Sequence, residues 1–126
     1  MKVGFDYWQV VSHFPSYFGA LADMHREAGY EVVIISAVGK DRVGTVESEV
    51  KKLGVFPRGI RVFEVVFDDP SQSPELKLAK CKELGITTFY DDRDDVCRLL
   101  NANGILAMRV TRKDNSTYDI KAERRS

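Results

Sequence analysis

The sequence has no surplus of either charge: 19 lysines and arginines meet 19 aspartates and glutamates, and the net charge is zero. A balanced chain lacks the electrostatic footprint of a protein that lives on nucleic acid or on an anionic membrane surface. No apolar run approaches the roughly 20 residues a helix needs to cross a bilayer, so no membrane partner is expected. The N-terminus begins with a charged strand rather than an apolar segment ending in a small-residue cleavage site, and the expected location is the cytoplasm. Cysteine and histidine are scarce, with two of each. Cys81 and Cys97 fall on helical faces and read as buried thiols; the two distant histidines complete no zinc pattern with them. His25 lies on an apolar helical stripe and belongs to the core or its boundary.

What is present is ordinary globular material. With 44% hydrophobic and 30% charged residues in 126, the chain can bury one core without staples. The first strand runs through "KVGF" to Asp6. Phe14, Phe18, Leu21, His25 and Ala28 then recur at helical spacing, and Gly29 stops the helix. "YEVVIISAVG" is apolar from Val32 to Ile35 without alternation, which marks a strand covered on both faces. Asp41 is the expected cap of a second helix, with Val43, Val46, Val50 and Leu53 on one stripe and Gly54 at its end. "IRVFEVVF" is the third strand and "SPELKLAKCKELG" the third helix, with Ser73 as cap and Pro74 in its first turn. "TTFYDD", "DDVCRLLNANG" and "ILAMRV" supply a fourth strand, a fourth helix and a fifth strand. Residues 1–110 thus make one domain. The polar tail 111–126 is expected as an edge strand, a short helix or frayed chain.

Strands alternating with helices of about 11 to 16 residues predict an α/β fold: a three-layer, Rossmann-like open parallel sheet of about five strands with helices on both faces. Ligands of such sheets sit beyond the carboxyl ends of the strands. Asp6 ends strand one, Ser36 strand two, Asp68 and Asp69 strand three, and Asp91 and Asp92 strand four. A carboxylate there can attack a phosphoryl group, provided that the repulsion between two anions is offset by Mg²⁺ on oxygen ligands and by a fixed cation. Asp6 supplies the nucleophile, Asp91 and Asp92 metal-side carboxylates, Ser36 a hydroxyl and Lys77 the cation. Lys80 and Lys82 share the helix with Lys77, and the sequence does not separate the three.

In this order the residues resemble the haloacid dehalogenase-like (HAD) superfamily of Mg²⁺-dependent phosphohydrolases, across residues 1–110. "VGFDYWQVV" is similar to the first motif, with Asp6 as nucleophile, and "VVIISA" to the second, with Ser36 as the phosphate-binding hydroxyl. Lys77 fits the lone lysine of the third. "TTFYDDRDDV" is similar to the fourth, with Asp91 and Asp92 as the acidic doublet and Asp95 as a candidate for the outer shell. The resemblance implies a sheet ordered 5-4-1-2-3, a site above strands one, four and two, and Mg²⁺ held by Asp6, Asp91, Asp92 and the backbone carbonyl of Trp8. The departure is Trp8 itself, which stands where these phosphatases carry an aspartate that protonates the leaving group and activates water. An indole exchanges no protons at neutral pH, so slow turnover is expected; His13, in the next loop, is the nearest alternative acid. The short connections leave no room for a cap domain, and by resemblance an open site accepts large phosphorylated substrates, macromolecules included, or is closed by an oligomeric partner.

Two other readings compete. A degenerate relative would keep the phosphate pocket as a binding or regulatory module, with Trp8 plugging a dead site. A receiver domain of two-component signalling has the same alternation of elements, but it needs an acidic pair after strand one and its phosphorylated aspartate after strand three, where only Asp68 or Asp69 would serve.

Overall fold

The computed structural model describes residues 1–57 and 59–114. Within them five parallel strands form one sheet in the order β3-β2-β1-β4-β5: β1 Lys2–Phe5, β2 Glu31–Gly39, β3 Arg61–Phe67, β4 Thr88–Asp91 and β5 Leu106–Arg109. Four helices alternate with them: α1 Pro15–Glu27, α2 Thr45–Leu53, α3 Ser73–Leu84 and α4 Asp94–Ala102. This is the Rossmann-like α/β fold anticipated above, with the anticipated strand order.

The continuous apolar run of β2 is explained by the two cores it separates. Val32, Ile34 and Val38, with Val3 and Phe5 of β1, pack on Phe18 and Ala22 of α1 and Val46 and Val50 of α2. Val33 and Ile35, with Phe89 of β4, pack on Leu78 and Cys81 of α3 and Val96, Cys97 and Leu100 of α4. Burial pushes both cysteine thiols up to about 12, so they are inert apolar filling. Gly4 permits the close approach of β1 to β4, because a Cβ there would lie 2.5 Å from the ring of Phe89. His25 stacks on Tyr30 with centroids 5.8 Å apart, at the boundary of the first core. No helix among the described residues is long and apolar enough to cross a membrane.

Several local expectations are corrected. Asp41 does not cap α2; it lies in a separate 3-10 turn, Lys40–Arg42, and Val43 is exposed. The helix starts at Thr45, behind Gly44 at φ 92°, and its open end is capped from another element: the Glu64 carboxylate of β3 accepts from Gly44 N at 2.6 Å and Val46 N at 2.9 Å. Ser73 does not cap α3 but begins it; the preceding turn, Pro70–Gln72, is closed by a reciprocal capping box between Asp69 and Gln72. Two of the helices, α2 and α4, have only 9 residues each, because loops take the remainder of their crossovers. Of the tail 111–126, residues 115–126 lie outside the described residues, as does its expected edge strand, short helix or frayed end.

The strand order fixes the crevice. The chain moves from β1 outward through β2 to β3, then crosses back to β4 on the other side of β1, so the switch of direction falls between β1 and β4. The carboxyl ends of that pair are where such a sheet binds ligands. Receiver-type sheets run 2-1-3-4-5, and this order differs from theirs.

Candidate functional site

β1 stops at Phe5 and delivers Asp6 to the switch point, where its backbone N–H still bonds the Tyr90 carbonyl at 2.9 Å. β4 delivers Asp91 as its last residue and Asp92 just beyond. One oxygen from each of Asp6, Asp91 and Asp92 lies within 4.8 Å of the others, and the three residues are 4%, 0% and 3% exposed. Three carboxylates this close and this dry need compensation.

Part of that compensation is Lys77, from the second turn of α3. Its ammonium lies 2.6 Å from Asp91 Oδ2 and 3.2 Å from Asp6 Oδ1, with the side chain 2% exposed. Lys80 pairs with Glu83 on the surface and Lys82 reaches Asn103, so Lys77 alone of the three enters the site. Ser36 donates its hydroxyl proton to Asp6 Oδ1 at 3.1 Å. It does so from the interior of β2, not from its end: β2 stays paired with β3 as far as Gly39, while β1 stops alongside Ile34. The hydroxyl therefore stands beside the end of β1 although its own strand continues.

Two arginines complete the frame, and sequence reasoning missed both. Arg93 Nε and Nη2 hold Asp95 in a forked pair at 3.0 and 2.7 Å, and its Nη1 donates to the Pro70 carbonyl at 3.2 Å. Asp95 is thus held by Arg93 and is not brought into the cluster of three. Arg112, in the first residues of the tail, donates from Nε to Asp92 Oδ2 at 2.8 Å. Its partner lies 20 residues away, and no local pattern announces such a pair. Asp68 and Asp69 are also occupied elsewhere, Asp68 with Lys40 and Asp69 in its capping box.

Among the described residues, Lys77 and Arg112 pair with these three carboxylates. Burial pushes Asp6 well above the ordinary carboxylate range; Lys77 pulls it back in part, while Asp91 and Asp92 add to the rise. Burial likewise raises Asp91 against the pull of Lys77. Burial alone would lower Lys77, but the charges of Asp6 and Asp91 outweigh it and hold the ammonium above its usual range, firmly protonated. All the donors are oxygens, and together they could hold a metal ion.

Trp8 occupies an irregular turn, Tyr7–Val11, in which Gln9 takes a left-handed φ of 67°. The indole packs edge-on against Tyr7 at 4.9 Å, and the Arg42 guanidinium lies 5.4 Å above its ring. His13 stands one turn further on, with no contact joining it to the carboxylates among the described residues; its buried Nδ1 has no partner there. Compared with known proteins, the chain matches no family model and no curated protein.

Proposed function

We propose that the chain is a Mg²⁺-dependent phosphohydrolase of HAD type that acts through an aspartyl-phosphate on Asp6 and turns over slowly. One observation carries the reading: a buried lysine bridges Asp6 and Asp91 at the switch point, with a serine hydroxyl on the same Asp6 oxygen. Structural ion pairs are rarely this dry, this acidic and this near the ligand crevice of the fold.

The residues present fit Mg²⁺. Hard oxygen donors are what it takes, and one oxygen from each of the three carboxylates lies within 4.8 Å of the others. Asp6, Asp91, Asp92 and the Trp8 carbonyl would hold it. When bound, the ion keeps Asp6 ionised and offsets its repulsion from the phosphoryl oxygens. A carboxylate oxygen of Asp6 attacks phosphorus, the bond from phosphorus to the substrate oxygen breaks, and the departing alcohol takes its proton from water. Lys77 and Ser36 bind the phosphoryl oxygens through this step. Water then attacks phosphorus, the bond to Asp6 breaks, and inorganic phosphate leaves. No carboxylate stands at position 8 to move either proton, which withholds a factor of roughly 10²–10⁴ in rate. Among the described residues no inserted domain covers the site, which suits a phosphorylated substrate too large to be enclosed.

A second reading, a phosphate-binding module without turnover, is favoured by one observation: Trp8 is pinned between Tyr7 and Arg42. Hydrolysis of an aryl phosphate with and without Mg²⁺, with Asp6→Asn as control, separates the two. Mg²⁺-dependent turnover lost in the variant supports the enzyme. Binding of Mg²⁺ and phosphate without turnover supports the module, and absence of both overturns both.

A further inference from the structure

Ser73 is the first residue of α3, its side chain 0% exposed, and its hydroxyl has no hydrogen-bond partner among the described residues. Buried hydroxyls are rarely left alone, because an unpaired one forfeits its bonds to water. Its surroundings in the fold indicate what it is for. α3 starts where the chain leaves the carboxyl end of β3, so its N-terminus lies at the same edge of the sheet as Asp6 and Asp91. The Arg93 bond to the Pro70 carbonyl ties the turn before Ser73 to the loop that carries Asp92.

Ser73 and Lys77 are four residues apart and therefore on one face of α3, the buried one, while Glu75 between them is exposed. Ser73 lies one turn N-terminal to Lys77, and helical side chains lean toward the N-terminus, which directs the Lys77 side chain toward the turn that Ser73 begins. At the helix end Pro74 has no N–H, and the Ser73 N–H is committed to the Pro70 carbonyl. The Ser73 proton has no acceptor among the described residues.

We infer that Ser73 Oγ donates a hydrogen bond to an oxyanion held jointly with Lys77 at the N-terminus of α3, the anion being a phosphoryl oxygen of the substrate or inorganic phosphate. The inference rests on the phosphate-binding reading above and adds a second hydroxyl to it. The positive end of α3 favours the same anion.

Titration calorimetry with inorganic phosphate in saturating Mg²⁺ tests it on wild type and Ser73→Ala, beside thermal midpoints without ligand. The variant should bind phosphate at least about tenfold more weakly, the loss expected when a hydrogen bond to a charged group is removed. Its affinity for Mg²⁺ alone should be unchanged, and its ligand-free midpoint should be equal or higher, since deleting an unpaired buried hydroxyl removes a cost. Equal phosphate affinity in the two proteins would overturn the role of Ser73 and leave the phosphatase reading standing. A ligand-free midpoint several degrees lower in the variant would overturn it too, by showing that the hydroxyl serves the fold. If wild type binds no phosphate, the functional reading itself fails, and this inference with it.

Discussion

At the scale of the residue, Lys77 carries the most consequence. Lys77→Met leaves Asp6 and Asp91 buried without their cation, and a broken buried pair costs roughly 3–5 kcal/mol. Denaturant unfolding at neutral pH without divalent ions should show a loss of that order, shrinking as acid neutralises the carboxylates. The wild type has its own pH dependence. Asp6 and Asp91 are raised by burial, so just above the ordinary carboxylate range the native state holds protons that the unfolded chain has released. Stability should therefore fall as pH rises through that window, and Asp6→Asn should flatten the slope; a slope of opposite sign would contradict the shifts. On the proposed phosphatase reading, Trp8→Asp supplies the missing acid and base and should raise turnover by up to about 10²–10⁴, provided the variant still folds and binds Mg²⁺. No gain in such a protein would favour the binding module. Asp6, Asp91 and Asp92 were legible because strand ends are legible; Ser36 was expected at the end of β2, and it reaches the site from inside that strand because β1 stops alongside Ile34. Lys77 was not separable from Lys80 and Lys82, although its spacing of four from both Ser73 and Cys81 traces the buried face of α3. Arg112 was missed because pairing between segments leaves no mark on either one, and so was the reach of Arg93 to the Pro70 carbonyl; its pair with Asp95 is local.

At the scale of the element, alternation of apolar runs with amphipathic ones located every strand and helix, and the errors lie at their ends. Asp41 and Ser73 have the chemistry of caps, and sequence alone favours them. The caps actually used by α2 depend on Glu64, 18 and 20 residues away on β3, a contact that only the folded sheet creates. Glu64→Ala should cost about 1–2 kcal/mol, the scale of a lost charged cap, read as a lower denaturant midpoint at unchanged m-value. A neutral result would mean that water caps α2 equally well. The same dependence on neighbours hid the length of β2, whose last residues pair with β3 alone.

At the scale of the whole molecule, the three-layer fold follows from the sequence of elements, and the strand order came only through a resemblance, since nothing in the pattern says on which side of β1 the chain returns. If the proposed site holds Mg²⁺ and phosphate, the two together should raise the thermal midpoint, because a ligand bound only by the native state stabilises that state, by about 2.7 kcal/mol at a hundredfold excess over Kd. Asp6→Ala should abolish the shift; an equal shift in that variant would move the site elsewhere. The central position of β1 has a further consequence, in the time order of folding. Asp6 meets Ser36 across 30 residues, and Lys77 meets Asp91 across 14. Asp91 reaches Asp6 and Ser36 when β4 docks on β1, the most non-local pairing of the sheet. Loop closure of that span is slow, so in refolding the capacity to bind a divalent ion should emerge with the slowest phase, after most helical signal has returned. Stopped-flow refolding with an ion-sensitive probe beside far-ultraviolet circular dichroism would show it, and simultaneous recovery of both signals would refute it.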